Sequence, residues 1–379
     1  MLYLDNAATS LKKPTAVFKA MQHAMMNYGA NAGRGGHFLS RLAGEKVYET
    51  RELLCEYFGI ENVERLAFFP NTTYALNAAI FGVLAGGGHA VTTSLEHNSV
   101  IRPLAELKRR GKISYTVAEG DLLGRISPKK IEEAFTPYTR LLIVTGASNV
   151  CGNVYDIEAL AKLAHSRGAY ILVDAAQIAG SREIDAKNFD MLAFPGHKGL
   201  LGPQGTGGLY VAPNVNLAPF AVGGTGSMSE SIYQPEAMPD YFESGTLNMP
   251  AIAGLYESVK FIIKEGTKNI HNYEMELFDM AKEALLNMDN ITCYGDFFAK
   301  ERMAVLSFNV KNVDSVTVAN ELDERFNIAV RAGLHCAPLA HKTLDTGGGS
   351  VRMSFGYFNT KKEVKTAIDA IYRITKGYA

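Results

Sequence analysis

The chain is predicted to be an α/β protein with two parts: a large domain with a mostly parallel sheet covered by helices on both faces, and a smaller α+β domain. Three observations predict this. Apolar runs of strand length alternate with helix-period segments from residue 66 to residue 173, and strands separated by helices pair in parallel beneath helices on both faces. A stretch rich in Gly, Ser and Pro follows over 223–250, as a long loop system leading out of the first unit requires. Beyond it, two long helices precede a mixture of short strands and helices, which marks a second unit with a different layer pattern. The 379 residues suffice for two cores. The expected division is an N-terminal segment 1–15 packing with the small domain, a large domain over 16–250 and a small domain over 251–379.

The elements follow in order. The chain opens extended over 1–4. A helix is predicted over 14–28, with Pro14 near its first turn, where a missing N–H costs nothing, and Gly29 as its stop. The next, 40–58, has Ser40 as its cap, an apolar stripe of Leu42, Val47, Leu53, Leu54 and Phe58, and Gly59 at its end. Strands are expected at 66–69, 90–93, 113–117, 141–144 and 170–173, with helices at 72–84, 99–110, 128–135 and 157–166. Leu209-Tyr210-Val211 adds a further apolar strand. After the irregular stretch come helices at 251–265 and 269–287, a strand at 304–309, a helix at 315–326, strands at 328–331 and 350–355, and a last helix over 360–374.

Composition removes several classes of function. Lys and Arg number 38 against 39 Asp and Glu, so a nucleic-acid partner is not indicated. Cys55, Cys151, Cys293 and Cys336 are widely spaced without a CxxC pair. This argues against a zinc ribbon, a thioredoxin-like motif and a secreted disulfide framework, and fits reduced thiols in a cytoplasm. The chain reaches Asp5 before any apolar run develops, so no signal peptide is read there, and no stretch approaches the length of a membrane-spanning helix. A soluble cytoplasmic protein is expected. There is no GxGxxG after the first strand, no GxxxxGK[ST], no HExxH and no paired Cys/His spacing. A dinucleotide fold, a P-loop and a metal site are therefore not expected.

Sheets of this type bind ligands at the carboxyl ends of their strands. The residues found there are polar in five places: Asn71-Thr72-Thr73, Glu96-His97-Asn98, Ser148-Asn149, Asp174 to Gln177, and His197-Lys198. Lys198 lies in a glycine-dense corner, where burial would free its amine for addition to a carbonyl. Thr72 and Thr73 open a helix whose amides suit a phosphate. Asp174 ends a very apolar strand, where a carboxylate needs a positive or donating partner. The nitrogen of pyridoxal phosphate (PLP) would be such a partner, with Gln177 on the ring's phenolic oxygen and His97 stacked on its face. Taken singly, each has an ordinary alternative: a solvent-facing lysine, a helix cap, a satisfied polar residue.

A second cluster runs from Arg331 to Pro338 and on to Arg352. Cys336 beside His335, in a Gly/Pro loop with arginines nearby, has a route to a reactive thiolate, whereas Cys55, Cys151 and Cys293 read as structural. Arg352 emerges from an apolar segment and suits bidentate capture of a carboxylate, with an interdomain ion pair as the alternative.

Together these residues resemble the class V aminotransferases of fold-type I, the PLP-dependent transferase architecture, and within them the group II cysteine desulfurase and selenocysteine lyase branch. The motifs are Tyr3-Leu4-Asp5-Asn6-Ala7-Ala8, Glu96-His97-Asn98, Ser148-Asn149-Val150, Asp174-Ala175-Ala176-Gln177, Gly196-His197-Lys198, Glu243-Ser244-Gly245-Thr246 and Arg331-Ala332-Gly333-Leu334-His335-Cys336-Ala337. The resemblance implies that Lys198 holds PLP, Asp174 pairs with its ring nitrogen, Gln177 touches its phenolic oxygen and His97 stacks on it. Thr72, Thr73 and His197 would bind the phosphate, with Thr246 reaching over from the second subunit of a homodimer. Asn149 and Arg352 would hold the substrate carboxylate, with Arg331 close by. L-cysteine would displace Lys198, Cys336 would take the sulfur as a persulfide, and L-alanine would leave. A sulfur-acceptor protein is also implied. The alternatives within the fold are a lyase for L-selenocysteine, another C–S lyase, or an epimerase.

Three departures from the family pattern stand out. Pro195 replaces a phosphate-binding serine, Leu334 replaces the first histidine of a His-His-Cys run, and Gly347-Gly348-Gly349 precedes Arg352. The last predicts that Arg352 is placed only once substrate binds.

Overall fold

A computed structural model describes residues 1–33 and 35–378; Arg34, and Ala379 at the end of the expected small unit, lie outside the described residues. β1 (Leu2–Tyr3) is followed by α1 (Thr15–Asn27), which starts behind Pro14, and by α2 (Phe38–Phe58), stopped by Gly59 at φ 68°. α2 begins ahead of the expected Ser40 cap. His37 is the cap residue, its ring accepting from the Ser40 N–H at 3.3 Å, while the Ser40 hydroxyl donates to the Asn31 carbonyl at 2.7 Å. A serine already inside the first turn cannot cap it.

The expected alternation then appears: β2 (Leu66–Phe69), α3 (Thr72–Val83), β3 (Gly88–Thr93), α4 (Asn98–Arg109), β4 (Ile113–Ala118), α5 (Pro128–Glu133), β5 (Thr139–Thr145), α6 (Ile157–Ser166) and β6 (Tyr170–Asp174). With β7 (Met191–Pro195) and β8 (Gly207–Val211) these strands form a seven-stranded sheet in the order β2-β8-β7-β6-β5-β3-β4. All neighbours are parallel except β8, which runs antiparallel to β7 and to β2. Two antiparallel steps restore direction, so β2 runs with the parallel set. The carboxyl ends of β2, β3, β5, β6 and β7 therefore share one edge. Helices flank the sheet, and β7 is buried along its whole length, which is why such strands read as continuous apolar runs.

The remaining elements are α7 (Met249–Glu265), α8 (Thr267–Leu286), β9 (Ile291–Tyr294), β10 (Val305–Val310), α9 (Ser315–Phe326), β11 (Ile328–Ala329), β12 (Arg331–Gly333), α10 (Pro338–Thr343), β13 (Ser350–Ser354) and α11 (Lys361–Gly377). An antiparallel sheet has the order β12-β13-β10-β9, and β1 pairs in parallel with β11. The predicted strand 328–331 is thus two strands in different sheets. Thr360 and Glu363 close a capping box at the start of α11.

Two large cores result. The first joins the seven-stranded sheet with its helices and takes in Ile252, Leu255, Val259 and Ile262 of α7. The second gathers Leu277, Phe278 and Leu285 of α8, the apolar residues of β10, β13 and α11, and Leu4 from the N-terminal segment. A small third cluster, Leu95, Val150 and Cys151 against Ala337, Ala340 and Leu344, seats α10 on the site edge of the large sheet.

Candidate active site

The loop after β7 is closed on itself. The Gly196 N–H donates to the Thr206 carbonyl at 2.8 Å, the Gly202 N–H to the Gly196 carbonyl at 2.7 Å, and the Leu201 N–H to the Lys198 carbonyl at 2.9 Å. The turn after β6 lies directly on this loop: a Cβ on Gly180, whose φ is 100°, would sit 2.1 Å from the backbone of Gly199. Only glycine satisfies both demands. This close approach brings Asp174 and Gln177 to Lys198.

Lys198 is half-buried in a hollow of about 490 Å³ lined also by Thr72, Thr73, His97, Asn149, Asp174, Gln177 and His197. These residues come from five strand ends, and the fold unites them. Burial lowers the Lys198 ammonium to about 8, with the Asp174 carboxylate pulling the other way. Asp174 is 3% exposed. Burial raises its carboxyl, against the Ala176 N–H, which donates to Oδ1 at 2.9 Å, and against Lys198. Glu96, fully buried, accepts from the Thr93 hydroxyl at 2.7 Å and the Thr145 N–H at 3.0 Å, and burial pushes it up to about 8.

His97 occupies the cap position of α4. Its Nδ1 accepts from the Ser99 N–H at 3.0 Å and lies 2.8 Å from the Ser99 hydroxyl. Burial, then Lys198, lowers it to about 4. The ring is therefore neutral, with its proton on Nε2. Ser99 also meets the Thr73 hydroxyl at 2.8 Å, tying the His97 wall to the opening turn of α3. His197 is held by Thr9, Nδ1 to Oγ1 at 3.0 Å, and burial lowers it to about 4. The Gln177 amide donates to the Ala7 carbonyl at 3.1 Å.

The hollow fits PLP. The Thr72 hydroxyl is buried without a partner, at a helix N-terminus that favours an anion. Asp174 would supply the carboxylate for a ring nitrogen, and Lys198 an amine whose ammonium burial lowers to about 8. Pro195 ends β7 inside the sheet, in register with Gly207, and is not part of the lining.

Cys336, Arg331 and Arg352 form a separate wall. Cys336 is exposed and its thiol is free. It follows His335 on a tight turn with φ values of 47° and 57° at the two residues. The turn is pinned to the hollow: the Asn149 amide donates to the His335 carbonyl at 2.8 Å and the Asn98 N–H to the Cys336 carbonyl at 2.7 Å. The Arg331 guanidinium lies 3.4 Å from the Cys336 sulfur. His335 is buried, with Nε2 3.2 Å from the Ser350 hydroxyl, and burial drives it down to about 2. Leu334 is exposed.

Arg352 is already placed. Its guanidinium donates to Asp5 Oδ1 at 2.7 Å and to the Asn149 carbonyl at 2.9 Å. This corrects the expectation drawn from Gly347-Gly348-Gly349: all three have positive φ, but a Cβ on Gly349 would lie 2.9 Å from the Gly333 backbone, so the residue that leads into β13 is packed against β12. Thr246 is exposed and outside the hollow of its own chain.

Asp5, Thr9, Ser99 and Glu96 have site contacts that their residue types and positions do not signal. Asp5 and Glu96 stand inside motifs of the family pattern, and Glu96 also stands at a polar strand end.

Residues 2–366 match the model of the class-V aminotransferase family, to which this chain belongs. A protein of Methanothermobacter thermautotrophicus described as a probable cysteine desulfurase is 38% identical over 373 residues, covering 96% of this chain and 92% of that one. The cysteine desulfurase of Haloferax volcanii is 31% identical, over 98% of this chain and 88% of its own length. Among solved structures, the apo cysteine desulfurase of Thermococcus onnurineus NA1 superposes with a TM-score of 0.94 at 34% identity, covering 99% of this chain and 95% of that one.

Proposed function

We propose that this chain is a PLP-dependent cysteine desulfurase that moves the sulfur of L-cysteine onto Cys336 and releases L-alanine. The observation that carries the reading is an exposed free thiol, Cys336, on a turn pinned to the rim of the Lys198 hollow, where the Asn149 amide donates to the His335 carbonyl at 2.8 Å and the Asn98 N–H to the Cys336 carbonyl at 2.7 Å. Family membership and the relatives' names support it.

Thr72, Thr73 and His197 would hold the cofactor's phosphate, Asp174 its ring nitrogen and Gln177 its phenolic oxygen, with His97 against its face. When bound, PLP supplies an electron sink for negative charge developing on the amino acid. Lys198, its ammonium lowered by burial to about 8, takes and returns protons at Nζ. His97 is neutral and offers a donor at Nε2. The Cys336 thiolate attacks the substrate sulfur; a sulfur–sulfur bond forms as the carbon–sulfur bond breaks. The electron pair stays with carbon, which is protonated to the methyl group of alanine, and Cys336 keeps the persulfide. Leu334, being apolar, does no acid or base work at its position.

Exposure of Cys336 suits delivery of the persulfide to an acceptor protein. Thr246 lies on a loop system that also exposes Val222, Ile232 and Tyr233, an arrangement we assign to the interface with a second copy, across which Thr246 would reach the partner's phosphate. Free thiols at all four cysteines suit a cytoplasmic setting. Among the described residues no helix is long and apolar enough to cross a membrane. L-selenocysteine remains the second substrate to compare.

Cys336→Ala decides the reading. Expected are loss of sulfur release from L-cysteine, no trapped persulfide, and an unchanged absorbance of the bound cofactor. Turnover near the wild-type rate would overturn it.

A further inference from the structure

Arg352 is 1% exposed, and two of its N–H groups are spoken for by Asp5 and the Asn149 carbonyl. A guanidinium has more donors than these contacts use, and its Nε has no acceptor. Arg331 on β12 stands directly across from Arg352 on β13. Like charges opposite one another in an antiparallel pair repel. Asp5 is the carboxylate bonded to Arg352, and among the described residues Arg331 is in no ion pair. Two guanidiniums thus face each other with one carboxylate, bonded to Arg352 alone, which leaves the pair able to take one more anion.

Asp5 itself is clamped. Its neighbours bind β13 on both sides: the Ser354 N–H donates to the Leu4 carbonyl at 2.7 Å, the Asn6 amide to the Ser354 carbonyl at 2.9 Å, and the Ala7 N–H to the Ser354 hydroxyl at 2.8 Å. Further along, the Ser10 N–H donates to the His197 carbonyl at 2.9 Å. The same short segment is therefore tied to the strand that carries Arg352 and to the residue before Lys198.

From these contacts we infer that Asp5 is a positioning residue for the reaction: it orients the Arg352 fork so that the remaining N–H groups take the carboxylate of an α-amino acid bound at Lys198. A buried guanidinium without a counter-ion is costly and would seek another partner. With Asp5 present, Arg352 is aligned before substrate arrives, so less ordering is paid on binding. The inference rests on the reading of Arg352 as the carboxylate's partner.

The test uses the PLP-loaded enzyme and two probes that undergo no sulfur chemistry, L-alanine and L-alaninamide, each titrated by the change in cofactor absorbance. Asp5→Ala should weaken L-alanine at least tenfold and leave L-alaninamide, which lacks the carboxylate, within about twofold. Asp5→Asn keeps an oxygen acceptor for Arg352 and should restore L-alanine to within about threefold of wild type. With L-cysteine, Asp5→Ala should raise KM and change kcat little. Equal weakening of both probes, or no weakening of either, would overturn the inference, as would a wild-type enzyme that binds the two equally. If the probes behave as expected but wild-type enzyme releases no sulfur from L-cysteine, the desulfurase reading fails and the role of Asp5 stands.

Discussion

Lys198 and Cys336 belong to one site but to different kinds of structure. Lys198 follows a fully buried strand, in a loop closed by its own backbone bonds, and the groups around it come from the ends of parallel strands. Burial sets their behaviour: it lowers Lys198, His97 and His197 and raises Asp174 and Glu96. Cys336 sits between β12 of the small sheet and α10, exposed, on a turn where two non-glycine residues hold positive φ. Such a conformation costs roughly 1–2 kcal/mol per residue. N–H groups of Asn149 and Asn98, donating to the His335 and Cys336 carbonyls, sustain it. Chemistry that needs a neutral amine calls for a dry, rigid floor, whereas a thiol that must hand sulfur on has to stay within reach of solvent.

Three changes sharpen that contrast. The largest effect is expected for Lys198→Ala, which removes the amine on which the buried wall converges. Turnover should fall by at least about 10³–10⁴-fold, and borohydride should no longer attach cofactor to the chain, while the Cys336 thiol keeps its wild-type rate of alkylation. A slowed alkylation would mean that the two regions are not independent.

Asp174→Asn should come next. It keeps the shape and the Ala176 contact but loses the charge, and a cost on the order of 10²–10³-fold in turnover is expected, together with a displaced cofactor absorbance. Wild-type turnover would show that the carboxylate does not serve the ring nitrogen.

The smallest effect concerns Glu274, 7% exposed, which accepts from the Ser181 hydroxyl at 3.0 Å beside the Lys198 loop. Burial raises its carboxyl from 4.5 to about 8. The folded protein therefore keeps a proton that the unfolded chain has lost above its ordinary value. The linked stability is fully present below that value and is lost as pH rises through about 8. Glu274→Gln cannot ionise. Its Tm should match wild type at pH 5 and exceed it by roughly 1–3 °C at pH 9, with the Cys336 alkylation rate unaffected. An equal Tm difference at both pH values would show that ionisation plays no part.

Much of the fold was legible because each parallel strand is an apolar run closed by polar residues. β9 was missed because it is short and only half-buried, so it carries no clean alternation, and α10 because it spans six residues from a proline. Ser40 has the chemistry of a cap, but it lies inside the first turn of α2 and its hydroxyl donates to the Asn31 carbonyl. Within the site, Lys198, Asp174, His97 and Cys336 stood out by residue type and position, but Asp5 did not. Its partner is 347 residues away, and a single aspartate near a chain start resembles any surface carboxylate.

Sequence by itself therefore determined the strand–helix alternation, the line of polar strand ends and the presence of Lys198 and Cys336 in loops, because these depend on local pattern. Tertiary structure alone decided that Arg352 is held by Asp5, that the His97 proton lies on Nε2, and that the Cys336 turn is pinned by Asn149. Each of these depends on which groups from distant segments meet in a buried space, where one hydrogen bond or one counter-charge sets orientation and protonation.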